Sequence, residues 1–168
     1  MIECNNFEIE IEIEETKKRK LSWSFFTDLP CGTKVIISVE RFYKDHDDSD
    51  CVWTLYNEGI EVTKTDNGDF NGNHGELVVD NADSVAFEDF NENLGPYSSG
   101  IKTPVTDSIT VEVVVGARQP LKAFGKNNIN MAGSQVVQSG NINVVRVSKN
   151  VSVPIKDKFQ PLDFKRVK

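Results

Sequence analysis

The side chains best equipped for chemistry are oxygen donors gathered in two short runs. Asp45, His46, Asp47, Asp48, Ser49 and Asp50 place four carboxylates and a hydroxyl within six residues. Calcium takes about six to eight oxygen ligands, and a loop joining two strands can gather several carboxylates around one ion. The second run is Asp66-Asn-Gly-Asp-Phe-Asn-Gly-Asn-His-Gly-Glu76. Counted from Asn67, it sets oxygen side chains at loop positions one, three and five (Asn67, Asp69, Asn71) and Gly72 at position six, as an EF-hand loop does. The match ends there, because position twelve is Val78 where a bidentate glutamate is required, and Glu76 comes two residues early. The expected ligands are Asp45, Asp47, Asp48, Asp50, Asp66 and Asp69, acting on one calcium ion if the fold sets the two runs side by side. Each run also reads as a plain solvated loop or hairpin tip, which requires no metal.

The sequence holds no recognisable catalytic motif, although its many paired carboxylates leave a glycosidase-like hydrolase as a third reading. His46 and His74 are the only histidines, and neither belongs to a Ser-His-Asp or Cys-His pattern. The Gly-x-Ser-x-Gly elbow of an α/β-hydrolase is missing. Cys4, Cys31 and Cys51 are odd in number and lack a Cys-x-x-Cys spacing, so neither a closed disulfide framework nor a zinc ribbon is expected. Free thiols are one reading; a Cys31 to Cys51 bridge, implying an oxidising compartment, is the other. Trp23, Trp53, Phe25 and Phe42 occupy strand positions and read as core. Tyr43, Tyr56 and Tyr97 are the residues a sugar-binding surface would use. The chain is expected to be non-catalytic, with no cofactor unless the acidic runs take calcium.

Those runs must be held by something, and 168 residues suffice for one domain with a single core. The formal charge of -7 is polarised: residues 45–92 hold fourteen carboxylates against one cation, Lys64, whereas residues 144–168 hold seven Lys and Arg against Asp157 and Asp163. An acidic middle argues against binding nucleic-acid backbones, which draw affinity from displaced counterions. No apolar run reaches the ~20 residues of a membrane span, and no basic then apolar leader opens the chain. The reading is cytoplasmic; an extracytoplasmic protein whose leader has been removed is the alternative.

The scaffold shows in Phe7-Glu-Ile-Glu-Ile-Glu-Ile-Glu14, where apolar and acidic residues alternate. Period two sends Phe7, Ile9, Ile11 and Ile13 to one face and Glu8, Glu10, Glu12 and Glu14 to water, as in an antiparallel sheet wet on one side. After a basic turn at residues 16–20, Leu21, Trp23 and Phe25 repeat the pattern, and Val35, Ile37 and Val39 follow a Pro-Gly turn. Shorter strands are expected over residues 52–56, 59–65 and 77–79, with a turn or bulge at residues 57–59. Residues 83–94 form either a helix capped by Asp83 or Ser84 and stopped by Gly95-Pro96, or another pair of strands. Residues 109–115, 135–137, 142–147 and 151–155 complete eight or nine strands, with breaks at residues 139–141 and 149–150. Many short strands with turns between them indicate an all-β antiparallel sandwich, with a closed barrel as second choice.

Trp23-Ser-Phe-Phe-Thr-Asp-Leu-Pro-Cys-Gly-Thr-Lys-Val-Ile-Ile-Ser-Val39 resembles a strand, Leu-Pro-x-Gly-Thr turn, strand pattern of immunoglobulin-like sandwiches in uncharacterised bacterial proteins. Gly95-Pro-Tyr-Ser, residues 109–115, Gln119-Pro120 and Phe124-Gly-Lys resemble its later elements in the same order. The resemblance covers about two thirds of the chain and implies an immunoglobulin-like fold, without implying an activity. Cys31 departs from the pattern, which has a small polar or acidic residue there. The functional expectation is a module that binds a protein partner or a second copy of itself through a strand edge, at residues 7–14 or 151–155, or through loops at one end. The basic residues Lys156, Lys158, Lys165, Arg166 and Lys168 would meet the acidic centre of another copy. A calcium-dependent ligand or carbohydrate module is the alternative.

Overall fold

A computed structural model of the chain describes residues 1–15, 18–44, 50–64, 71–93 and 106–155, with side chains at all of these except 43, 44, 50, 51, 71 and 87–93. A two-residue strand, β1 (Ile2–Glu3), precedes β2 (Phe7–Glu14), whose alternation becomes a buried and a wet face. β3 (Lys20–Thr27) runs back along it and pairs Phe25 with Ile9, Trp23 with Ile11 and Leu21 with Ile13. β4 (Lys34–Lys44) and β5 (Asp50–Glu61) form a long hairpin, followed by β6 (Thr63–Lys64), β7 (Asn71–Val78), α1 (Val79–Asn93) and β8 (Ser108–Val115). Two single 3-10 turns, Lys122–Phe124 and Lys126–Asn128, lead to β9 (Met131–Ala132), β10 (Val137–Ser139) and β11 (Ile142–Ser152).

Among the described residues the molecule is mostly β, with antiparallel sheets and one α-helix. One sheet has the order β2-β3-β7-β6 and the other β10-β11-β8-β4-β5; β1 and β9 form a small parallel pair that the sequence did not lead us to expect. A common core takes Phe7, Ile9, Leu21, Trp23 and Phe25 from the first sheet and Val35, Ile37, Val39, Ile109, Val111, Val113 and Val115 from the second. The packing is therefore sandwich-like, two faces of period-two strands meeting across one apolar layer. Among the described residues no helix is long and apolar enough to cross a membrane.

The Leu29-Pro-Cys-Gly-Thr33 segment makes the turn that its composition suggests. Leu29 is buried, and its amide donates to Thr27 Oγ1 at 3.1 Å. Thr33 Oγ1 donates to the Pro30 carbonyl at 2.7 Å, while Gly32 takes φ +89°, where a side chain would be strained. The amides of Gly32 and Val62 then bond across to Val62 O and Thr33 O, tying this turn to the end of the β4–β5 hairpin.

Four expectations are corrected. Residues 57–59 are not a turn: Asn57, Glu58 and Gly59 pair with Ser38, Ile37 and Ile36, and the irregularity lies at Leu55, where the register slips between Val39 and Glu40. β11 runs through Lys149-Asn150, which pair with Val111 and Thr110, but it ends at Ser152. β7 begins at Asn71, six residues before its expected start, and Val79 is already helical. Asp83 does not cap the helix. It sits inside α1, which begins four residues earlier, because its carboxylate answers a distant cation.

That cation is Arg41. In β4 the inward positions run Val35, Ile37, Val39 and Arg41, and the arginine is fully buried. Its Nε and Nη2 donate to the two carboxylate oxygens of Asp83 at 2.8 Å each, and Nη1 donates to the carbonyls of Thr106 at 3.1 Å and Val153 at 2.7 Å. A planar fork with several fixed donors suits such a site. One helical turn away Arg19 holds Asp80, at 2.6 Å through Nη2 and 3.2 Å through Nε, and donates Nη1 to the Pro154 carbonyl. Burial pushes the Asp83 carboxyl above its ordinary pKa, and Arg41 pulls it back. Removing one partner strands a buried charge, so Asp83→Asn should cost about 3–5 kcal/mol of unfolding free energy in urea melts. The double change Arg41→Met with Asp83→Leu should recover most of that loss; a single mutant as stable as the parent would show that the pair contributes nothing.

Candidate functional site

Of the expected calcium ligands, Asp45, Asp47, Asp48, Asp66 and Asp69 lie outside the described residues, as do His46 and the basic residues from Lys156 onward. Asp50 opens β5, its backbone paired with Lys44. The strands hold the anchors of the two runs apart. The first is anchored at Lys44 and Asp50, the far end of the β4–β5 hairpin; the second is anchored at Lys64 and Asn71, beside Thr27 and the Leu29–Thr33 end. An eleven-residue strand separates these ends by roughly 35 Å. Among the described residues no group of three His, Cys, Asp or Glu side chains could hold a metal ion.

Gly72, His74 and Glu76 are strand residues rather than loop ligands. A Cβ at Gly72 would lie 1.9 Å from the Phe25 carbonyl oxygen, so glycine is required there by the close approach of β3 and not by a metal-loop turn. His74 lines up with Ser24 and Glu10, and Glu76 with Ser22 and Glu12, across the outer face of β2, β3 and β7. Small serines on the central strand leave a shallow trough of about 260 Å³ between flanking acids. Lys20 pairs with Glu76 at 3.1 Å, so the trough is partly neutralised from its own sheet.

The expected Cys31 to Cys51 bridge is excluded by register. Cys51 pairs with Tyr43 at one end of the hairpin and Cys31 precedes Lys34 at the other, roughly 30 Å away, whereas a bridge needs Cα atoms within about 7 Å. Tyr56 is not a free sugar platform. Its ring lies 5.0 Å from that of Trp23, tilted by 56°, and its hydroxyl donates to the Glu58 carboxylate, which helps push the phenol pKa up to about 12. Trp23, Trp53 and Phe25 are buried as expected; Phe42 faces outward, half-buried, because Arg41 takes the inward position beside it.

No family model, no curated protein and no solved structure matches this chain.

The strand edges then decide where another molecule has room. β2 is an edge strand, as expected, and so is β11 beyond the reach of β10, but the two lie against each other on one flank. Lys149, at a core-phase position of β11, donates from Nζ to the Ile9 carbonyl of β2 at 3.4 Å. On the opposite flank β5 is bonded only to β4, and along its other side no strand pairs among the described residues. There α1 packs near β5 and β7, leaving a groove of about 510 Å³ lined by Thr54, Leu55, Leu77, Val78, Asn81, Ala82, Val85 and Ala86. Val85 is 67% exposed and Val52, on β5, 45% exposed. Neither the open edge nor the groove was visible in the sequence; the exposed Val52 within an apolar strand is the nearest signal.

Cys4 is fully buried, and burial, with Asp28 nearby, pushes its thiol from 9.0 up to about 12. A thiol harder to ionise when folded than when unfolded makes stability fall as pH rises through the window between those values. Urea melts from pH 7 to pH 11 should show that decline starting near pH 9, by up to ~1.4 kcal/mol per pH unit, and Cys4→Ala should flatten it. An equal slope in the variant would assign the decline to other groups.

Proposed function

We propose that this chain is a non-catalytic interaction module, an immunoglobulin-like sandwich that binds another protein by pairing with an extended segment along the open edge of β5. The observation that carries this reading is the place of β5, twelve residues long, at the end of its sheet among the described strands, with an apolar groove beside it. The outer side of an edge strand is a template for an added strand, and pockets beside it accept alternate side chains. The edges at residues 7–14 and 151–155 are weaker candidates, since they shield one another through Lys149. Two facing antiparallel sheets and the ordered Leu-Pro-x-Gly-Thr turn support the immunoglobulin-like reading of the fold.

A photo-crosslinking side chain at Val52, introduced into the chain in its source cells, should trap a discrete protein adduct. The same group at Glu10, on the outer face of the other sheet, should trap none. Adducts at Glu10 with none at Val52 would move the binding surface to the other sheet. Sedimentation at low and high salt addresses the partner's identity: a dimer that dissociates with salt would make a second copy the partner.

A further inference from the structure

From Val113 to Ile155 the chain has no carboxylate, against five cations: Arg118, Lys122, Lys126, Arg146 and Lys149. Two of these serve the sheets, Arg146 pairing with Glu112 and Lys149 reaching the Ile9 carbonyl. Arg118, Lys122 and Lys126 are exposed and form no ion pair among the described residues. All three lie between β8 and β9, where residues 121–130 make a closed loop. The amides of Phe124, Gly125, Asn128, Ile129 and Asn130 all donate to carbonyls within it, the last reaching back to Phe124 O at 3.0 Å. Asn127 and Asn128 turn the chain at positive φ, and buried Asn128 anchors it, donating Nδ2 to the carbonyls of Gly116 at 2.8 Å and Asn143 at 2.9 Å. Phe124 fills the inside, and Ile129 is left outside, 73% exposed, its side chain over Gly125 and next in line to Lys126. Met1 is exposed alongside, because the Ile2 amide bonds to Asn130 O. The strands around the loop, β1, β9 and β11, add a single acid, Glu3.

We propose that this loop docks the protein on an anionic lipid surface, Ile129 and Met1 entering the headgroup boundary while Arg118, Lys122 and Lys126 meet the acidic headgroups. A convex apolar tip suits a fluid layer that closes around it, whereas the anchors of a protein partner enter preformed pockets. The closed hydrogen bonding serves the same end, since backbone amides without partners are costly to carry toward hydrocarbon. Three cations and two apolar side chains give reversible binding rather than permanent anchoring. The loop lies at the Leu29–Thr33 end of the sandwich, where a Cβ at Gly32 would meet Leu121 at 3.6 Å. The groove beside α1 lies toward the other end, where Leu77 and Val78 pair with Leu21 and Lys20. A docked chain therefore keeps the flank of β5 turned away from the lipid, and the two surfaces do not compete.

Sedimentation of the full chain with extruded vesicles tests this. Vesicles of phosphatidylcholine with roughly a third phosphatidylserine should carry the protein down at low salt and release it as salt rises, and vesicles of phosphatidylcholine alone should leave it in solution. Lys122→Gln with Lys126→Gln should weaken binding about thirtyfold, and Ile129→Ser about tenfold. Neither change should lower the melting temperature, because these side chains are exposed. No binding to the phosphatidylserine vesicles at low salt, equal binding to both compositions, or binding that survives the double lysine change would overturn the proposal. A polyglutamate peptide that binds as tightly as the vesicles and is indifferent to Ile129→Ser would likewise overturn it, giving the loop to an acidic protein instead.

Discussion

The pairing of Arg41 with Asp83 is the constraint around which the fold is arranged. Four hydrogen bonds from one buried guanidinium join β4 to α1, to the chain just before β8 and to the chain just past β11. Those segments are 42, 65 and 112 residues from Arg41 in sequence, so the fork closes long loops at a single point. Hydrophobic burial alone would leave the helix free to rotate or slide on the sheet, since apolar contacts are non-directional. A bidentate carboxylate fixes its rotation. Arg19 on Asp80 repeats the arrangement one turn away, and the carbonyls of Val153 and Pro154, held by the two arginines, set where the chain leaves the sandwich.

With α1 pinned by its first half, the two flanks of the sandwich become unequal. On one, β2 and β11 bring their edges together, and Lys149 extends its ammonium group to the backbone of β2 where a core side chain would otherwise end. A cation at an inward-phase position discourages further strand addition. On the other flank the helix stands beside β5, so that β5 and the apolar wall of α1 border one groove. The asymmetry follows from where the two long cations, Arg41 and Lys149, fall in their strands.

Most of the sheet framework is legible in the sequence because its strands are wet on one face. β2, β3, β4 and β8 keep period two without interruption, and each of their apolar rows is found in the core. From sequence β5 divides into two pieces because Asn57-Glu-Gly59 resembles a turn, and β11 because Lys149-Asn150 does, yet both stretches stay paired in a ladder. Both errors have one source: local composition cannot report a partner strand that keeps the backbone extended. The helix start is hidden in the sequence for the same reason. Asp83 looks like a cap when judged against its neighbours, and only the burial of Arg41 shows that its partner lies on a strand. A signal was present, since Arg41 continues the inward series of Val35, Ile37 and Val39, and an arginine there requires a buried counter-charge. The choice of acid among the many in residues 45–92 was not readable.

The same reasoning bears on where chemistry can reside. Carboxylates are abundant in the middle of this chain, but abundance does not make a site; a metal or a reacting group needs several donors converging within about 3 Å of one point. The strand ends that anchor the two acidic runs lie far apart, and the acids of β2 stand in a row on a flat face beside the serines of β3. Charge spread in rows acts at the range of a Debye length, about 8 Å in physiological salt, and therefore selects a partner by sign rather than by coordination geometry. Apolar surface acts at contact. Among the described residues the flank of β5 offers an apolar groove beside an edge strand, and this favours an extended peptide over an ion or a small polar molecule.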